Sequence, residues 1–454
     1  MPIHRALVFG IVALALVMIS VDATIVATAL HALQHGLDTS INRAGWTLTG
    51  YAFGFVLMLP ISGKLAERYG RRRVFIGSVA LFTLASVGCG LANDIEVLIA
   101  LRVLQALGGA GLTPSATGII VDHFGQARDR AVGLFGSIFS IGAMIGPVFG
   151  GLIVAHWSWR GVFFVNIPIG LAIIALALRF IPPDPPADAA AGLQLDTPGM
   201  ALLGGGLLAA MFAINTLGET GGHVGAWSFL APLAIALLGI GLFLRHIRRS
   251  AHPLLAPRLI HGPGFGAVNV VNAVFGGMTV GAVALVPLYA TTRYGIGALA
   301  SGTLLAAQGV AAIVVSIAST LALRRTGYRR PLYAGGIAIA AGMVLVALRP
   351  PGGIAPYPWL AGAASLIGVG IGIVNPASRN AGLQLAPRHA SSLAALRTLF
   401  IQLGMITTVS IATAVLASAE HPGVAQAWVY AALALVLLAA LAIVRRVPEH
   451  LGAW

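Results

Sequence analysis

Fourteen apolar runs, each long enough to cross a membrane, dictate what this chain can fold into. They lie near 7–30, 45–63, 74–93, 97–121, 131–154, 161–181, 198–217, 227–245, 265–290, 298–323, 331–348, 357–377, 391–418 and 424–444. A helix needs about 20 apolar residues to span the hydrocarbon, and a helix satisfies all its backbone polar groups without water. Charged residues make up 9% of the 454 positions. Soluble proteins carry about a quarter, so a water-soluble globular enzyme is excluded. The connections are mostly short and leave no room for a folded soluble domain. The first run, with Arg5 before it and Ala27-Thr28-Ala29 after, mimics a signal peptide. Its apolar segment is too long and Asp22 interrupts it, so it is expected to be a membrane helix. The single cysteine, Cys89, excludes an internal disulfide and a thiolate metal cluster, and reads as a small apolar residue inside a helix.

Orientation follows from the basic residues. One set of loops and ends carries Arg5; Lys64, Arg68, Arg71, Arg72 and Arg73; Arg128 and Arg130; Arg179; Arg245, Arg248, Arg249 and Arg258; Arg324, Arg325, Arg329 and Arg330; Arg379 and Arg388; and Arg445 and Arg446, 21 of the 27. The opposite loops hold four: Arg43, Arg160, Arg293 and Arg349. Arg102 and Arg397 fall inside runs. The asymmetry puts both termini in the cytoplasm. The net charge of +14 is then a membrane-orienting charge and not a nucleic-acid signature, and no nucleic-acid partner is expected.

An internal repeat refines the architecture. LAERYGRRRVF (65–75) follows the second run and LRRTGYRRPLY (323–333) follows the tenth. Aligning Gly70 with Gly327 pairs Arg68 with Arg325, Arg72 with Arg329 and Arg73 with Arg330. A plain duplication of six helices would return the loop after helix eight. Its return after helix ten implies two inserted helices, 198–217 and 227–245, behind the cytoplasmic linker IPPDPPADAAAG (181–192). Two unrelated basic loops are the competing explanation.

Ionisable residues inside hydrocarbon are expensive, which makes each a functional candidate. Of the 13 acids only Asp22 sits well within a span, roughly 20 Å from the cytoplasmic end of its helix at 1.5 Å per residue. A carboxyl at that depth is a candidate proton carrier, because burial penalises its charged form; the bland alternative is a polar residue that joins helices. Arg102, about 10 Å into the fourth helix from the outer side, needs a partner and reads either as a coupling group for Asp22 or as part of a structural network. Arg397 lies in the first turns of its helix, where snorkelling to the cytoplasm is the leading reading. Gly142, Gly146 and Gly150 form a four-spaced row that permits close helix approach, and Pro147 permits a bend. Trp46, Tyr51, Gln105, Asn269, Asn272, Gln308, Asn375 and Gln402 are candidates to face a central cavity and bind substrate; taken singly, a residue joining helices is the more common reading of each.

Some chemistries are absent. Gly63-Lys64 is followed by Leu65, with no glycine five positions before Gly63, so there is no nucleotide-binding P-loop. There is no H-E-x-x-H, and no histidine sits deep in a run. No metal, cofactor or enzymatic activity is expected.

Several stretches resemble the major facilitator superfamily. GKLAERYGRRRVF (63–75) is similar to its signature between helices two and three, with Glu67 where Asp is usual. RVLQALGGAG (102–111) resembles the fourth-helix motif, with Ala106 where glycine is common, and GAMIGPVFGG (142–151) the antiporter motif of helix five. VDATIVATAL (21–30), WTLTGYAFGF (46–55) and WSWRGVFFVNIPIG (157–170) are similar to the branch of drug:proton antiporters with fourteen helices.

The resemblance implies an all-α integral membrane protein of the major facilitator fold: six-helix bundles over 1–181 and 251–454, with the linker and two inserted transmembrane helices over 182–250. It implies a proton-coupled exporter of amphipathic small molecules working by alternating access, or a same-fold exporter of one metabolite, siderophore, sugar or lipid. Asp22 would bind the proton and Arg102 couple it. Gly63, Glu67, Arg68, Gly70, Arg72, Gly142, Gly146, Pro147 and Gly150 would act in gating, with Glu67 meeting the N-terminal end of helix thirteen near Ser391. Gln308 and Gln402 stand on helices where some relatives carry acids, so monocationic, zwitterionic or neutral substrates are expected. The chain is expected to act as a monomer among the lipids of a bacterial-type inner membrane.

Overall fold

The computed structural model of the chain describes residues 2–124, 142, 145–184, 196–217, 223–250, 253–254, 257–385 and 390–449. Its long elements are helices: α1 (Pro2–Gly36), α2 (Ile41–Tyr69), α3 (Arg71–Leu91), α4 (Ile95–Phe124), α5 (Ile145–His156), α6 (Gly161–Phe180), α7 (Thr197–Leu217), α8 (Trp227–Ile247), α9 (Phe265–Tyr294), α10 (Ala298–Thr326), α11 (Arg329–Ala347), α12 (Pro356–Leu385), α13 (Ala390–Ala417) and α14 (Pro422–Val444). Among the described residues, twelve helices are long and apolar enough to cross a membrane, which makes this a multi-pass membrane protein. That count is two short of the fourteen apolar runs. The two runs without a counterpart among the twelve are 45–63, which lies on the 29-residue α2, and 131–154, of which the structure describes residue 142 and the start of the short apolar α5.

The chain divides into two compact units, Met1–Thr39 with Trp46–Leu195, and Ser40–Gly45 with Asp196–Trp454. The expected inserted pair, α7 and α8, falls in the second unit. In the first unit α3 packs along α4 and against α6, and α1 lies on α4 and α6. Val12, Leu16, Phe75, Phe82, Ile119 and Ile173 fill that core. In the second unit α12 packs against α10 and α11, α14 against α11, and α7 against α8 and α13. Phe275, Tyr289, Leu332, Ile339, Ile367 and Leu437 lie in its core. Large apolar side chains face outward freely, among them Leu237, Leu238, Val314, Ile317 and Leu435. This is the expected pattern where lipid is as apolar as the protein interior.

The repeated loop has the same structure in both units. Gly70 (φ 97°) precedes α3 and Gly327 (φ 67°) precedes α11, backbone conformations that glycine adopts at little cost. Asp184, just past α6, accepts the Arg72 and Arg73 backbone N–H groups at 2.9 Å each. Glu449, just past α14, accepts the Tyr328 and Arg329 N–H groups at 2.6 and 3.3 Å, one residue nearer the glycine. In both, a carboxylate sits at the positive end of a helix dipole. The paired arginines also match: Arg72 donates to the Leu178 carbonyl at 2.7 Å and Arg329 to that of Val447 at 2.8 Å. A Cβ at Gly70 would stand 2.3 Å from the Asp184 carboxyl, so only glycine admits this cap.

A third carboxylate ties the α7–α8 hairpin. Asp196 accepts from the Gly199 N–H at 3.0 Å and the Leu254 N–H at 2.7 Å, and lies 2.6 Å from His246 Nε2 at the end of α8. Burial acts to raise its pKa, but His246 and the two N–H groups outweigh that and hold the carboxyl below its ordinary value. A depressed folded-state pKa gives stability that is present above the unfolded value and lost as pH falls through the folded one. Asp196→Asn is therefore expected to lower thermal stability in detergent by about 1.5–3 kcal/mol near neutral pH. The gap between wild type and variant should narrow below about pH 4, as followed by unfolding midpoints across a pH series.

Candidate functional site

Asp22 lies on α1 with no solvent exposure, and Arg102 on α4 is 1% exposed. Both face the interior of the first unit because an ionised group turned toward lipid would be unsolvated. Arg102 Nη1 donates to Asp22 Oδ2 at 2.8 Å. The second carboxylate oxygen, Oδ1, accepts from Gln105 Nε2 at 3.0 Å and Asn166 Nδ2 at 2.9 Å. Three donors thus saturate the ionised carboxylate, the condition under which a buried ion pair is tolerated.

The surrounding groups hold those donors in place. Gln105 Nε2 also reaches Ser86 Oγ at 2.8 Å, and Gln105 Oε1 accepts from Arg102 Nη1. The spacing of Arg102 and Gln105, three residues on one helix, puts both on one face of α4. Arg102 Nε donates to the Thr47 carbonyl of α2 at 3.1 Å. Its guanidinium lies over the Tyr51 ring at 4.3 Å and within 5.7 Å of the Phe163 ring centroid, an arrangement that stabilises a desolvated cation. Three helices, α1, α4 and α6, therefore meet at one carboxylate, and α2 and α3 hold its donors through Arg102 and Gln105. Protonating Asp22 removes the charge that holds Arg102, while Arg102 keeps its Thr47, Gln105 and Tyr51 contacts. The carboxylate is thus a direct side-chain link between α1 and α4.

The expected glycine row packs on the helix that carries Asp22. A Cβ at Gly142 would stand 2.6 Å from Ser20 Cβ, one at Gly146 2.1 Å from Thr24 Oγ1, and one at Gly150 2.2 Å from Thr28 Oγ1. Each step of one turn along the row meets α1 one turn further on, so the two backbones touch along their length. Pro147 is buried within this contact.

Other candidates have separate surroundings. Trp46 is half-buried on α2. Asn269 uses its amide on the Leu259 and Ile260 carbonyls at 2.9 and 3.0 Å, which joins the short helix Pro257–His261 to α9. Asn272 begins a π-helical stretch of α9 (Asn272–Met278), and its buried Oδ1 has no hydrogen-bond partner. Gln308 and Gln402 are half-buried on α10 and α13, and Asn375 is exposed on α12. Arg68 lies over the Tyr69 ring at 5.4 Å. The Gly63 and Glu67 side-chain positions, and with them the expected contact near Ser391, lie outside the described residues.

The structure thus gathers Asp22, Arg102, Gln105 and Tyr51 and adds Asn166, Ser86 and Thr47, which sequence reasoning missed. Asn166 had a signal, since it is an amide inside an apolar run. Ser86 resembles any small residue of a membrane helix, and Thr47 acts through its backbone, which no sequence pattern reports.

The family model described as Major Facilitator Superfamily matches residues 12–409, and the chain belongs to that superfamily, whose members are transporters and not enzymes. It is 31% identical over 383 residues to the "Multidrug resistance protein B homolog" of Mycobacterium tuberculosis, covering 84% of this chain and 70% of that protein. It is 29% identical to the "Multidrug transporter protein MdtP" of Bacillus subtilis (82% and 67%). It is 30% identical to the "Methylenomycin A resistance protein" of Streptomyces coelicolor (79% and 74%). Among solved structures, an auto-inhibited peptide transporter of the POT family superposes with a TM-score of 0.66 at 18% identity, covering 99% of this chain and 98% of that one. A D-xylose-proton symporter gives 0.66 at 14%, covering 98% of each chain.

Arg102→Met leaves the Asp22 carboxylate buried without its counter-ion, and is expected to destabilise the protein by about 3–5 kcal/mol. Adding Asp22→Asn to it should restore most of that loss, because the orphaned charge is then gone. Thermal unfolding of the four proteins in detergent measures the coupling; a double variant whose loss equals the sum of the two single losses would show that the pair is not linked.

Proposed function

We propose that this protein is a multidrug exporter that couples outward movement of amphipathic small molecules to inward movement of protons at Asp22. The observation that carries the reading is the buried, fully hydrogen-bonded Asp22–Arg102 pair. A carboxylate kept at such a depth, tied to a cation whose hold depends on its charge, is what proton coupling needs. The names of relatives at about 30% identity, among them multidrug resistance and multidrug transporter proteins, support drug efflux.

In this reading proton and substrate compete. Proton uptake at Asp22 frees Arg102, and proton release restores the pair, so exchange proceeds by alternating access. The membrane potential contributes about 2.3 kcal/mol per charge per 100 mV. Gly142, Gly146, Gly150 and Pro147 are the element that restricts leak; their close contact with α1, the helix of Asp22, supports this role. Gly70, Arg72 and Arg68, with Gly63 and Glu67, form the gating loop, supported by the Asp184 cap.

The chain is assigned to the fourteen-helix drug:proton branch, with bundles over 1–181 and 251–454 and an inserted pair over 182–250. The 29-residue α2 and the apolar α5, at the two positions beyond the twelve spans, support that count. Both termini are cytoplasmic in a bacterial-type inner membrane. The substrates are monocationic, zwitterionic or neutral, and the transporter works as a monomer. A second reading, export of one dedicated compound, is favoured by the relative named for resistance to methylenomycin A alone.

Asp22→Asn is expected to abolish efflux driven by a pH gradient in proteoliposomes while inserting normally. Undiminished efflux in that variant would refute the coupling role. A panel of dyes and antiseptics separates the two readings: response to many supports multidrug export, and response to none beside strict dependence on one compound supports the dedicated exporter.

A further inference from the structure

The second unit contains a cation that the proton-coupled reading does not use. Arg397 lies on α13 at the start of the membrane span Leu396–Ala417, about 10 Å along the helix from Ala390. The sequence favours a snorkelling side chain there. Instead the guanidinium crosses to α12, where its Nη2 donates to Asn375 Oδ1. Its Nε is buried and has no hydrogen-bond partner. Among the described residues no carboxylate lies within salt-bridge distance of it. The contrast with Arg102 is sharp: one membrane arginine is matched by an acid, an amide oxygen and a backbone carbonyl, the other, among the described residues, by a single amide oxygen.

The surroundings add positive charge. Arg379 follows Asn375 by one turn on α12, so the two share a face. Asn375 and Arg379 are exposed. The amide that accepts from Arg397 thus has a second arginine one helical turn away on its own helix. A partly buried guanidinium with a free N–H is incomplete, and its planar fork suits a carboxylate or phosphate oxygen better than any neutral group.

We infer that Arg397, Arg379 and Asn375 form an oxyanion-binding site in the second unit, taking the carboxylate of an amphipathic substrate or the phosphate of an acidic lipid headgroup. The substrate role rests on the export reading above and narrows it to carboxylate-bearing compounds, of which zwitterions are already within the proposed range. Asn375, retained among the substrate-binding candidates, then acts by orienting Arg397, with its amide N–H₂ free to donate to the same anion. Arg379 lies nearer the helix end and supplies the attracting charge.

The test is equilibrium binding in detergent with no proton gradient, so its outcome is independent of coupling at Asp22. The probes are 1-naphthaleneacetate and its neutral counterpart 1-naphthaleneacetamide, measured by titration calorimetry at neutral pH. Wild type is expected to bind the carboxylate about tenfold or more tightly than the amide, as a charge-assisted hydrogen bond provides. Arg397→Lys should keep part of that preference and Arg397→Gln should lose it. For the headgroup source, unfolding midpoints are compared in nanodiscs of phosphatidylcholine with and without phosphatidylglycerol. A rise with the anionic lipid that Arg397→Gln abolishes assigns the site to lipid, and a carboxylate preference without that rise assigns it to substrate. A carboxylate preference that survives in Arg397→Gln overturns the inference. So does equal binding of the two probes by wild type together with no Arg397-dependent lipid effect. Far-ultraviolet circular dichroism and gel filtration of Arg397→Gln establish that it folds, and Arg379→Gln, which leaves Arg397 in place, should weaken the preference without removing it.

Discussion

The ion pair between Asp22 and Arg102 constrains the first unit more than any other contact. A charge in hydrocarbon has no water to fall back on, so five helices must deliver partners to one point: α1 the carboxylate, α4 the arginine and Gln105, α6 Asn166, α3 Ser86, and α2 the Thr47 carbonyl and the Tyr51 face. Their relative heights and rotations are set by those bonds.

Packing elsewhere is governed by size and not by hydrophobicity. Lipid solvates leucine as well as the protein does, so helices gain from close backbone approach. The row Gly142, Gly146, Gly150 against Ser20, Thr24 and Thr28 brings the segment that includes α5 onto the helix that carries Asp22. At the helix ends, where water returns, carboxylates take over. Asp184, Glu449 and Asp196 each bind backbone N–H groups at the start of a helix or in the segment beyond it. The first two do so beside the two copies of the repeated loop, which gives the sequence repeat a physical content: glycine, helix-starting N–H groups, and a carboxylate from the segment just past α6 or α14.

Residues whose environment is fixed by the membrane were legible in the sequence. Asp22 and Arg102 stood out because a charge inside an apolar run has few explanations, and Gln105 followed from its spacing to Arg102. The eight substrate-binding candidates have unlike surroundings for a plain reason: an amide in a membrane helix satisfies itself with whatever is nearest. Asn269 uses its amide on two local carbonyls, whereas Asn166, absent from the candidates, sits at the heart of the site. Arg397 showed the limit of a single-helix argument. Near a helix end snorkelling is the cheapest solution for an isolated helix, but Asn375 on a neighbouring helix offered another acceptor.

By itself the sequence determined the class of solvent, the helical class of the fold, the orienting charge, the repeat and the one acid deep in a span. Each of these follows from hydrophobicity and charge summed along the chain, which need no knowledge of neighbours. Only the tertiary structure decided that Asp22 and Arg102 touch, that Asn166 and Ser86 complete their network, that the carboxylates past α6 and α14 cap distant helices, and that Arg397 reaches the Asn375 amide on another helix. Those facts depend on how helices far apart in sequence are rotated about their axes, and rotation is set by packing between surfaces that the linear pattern does not bring together.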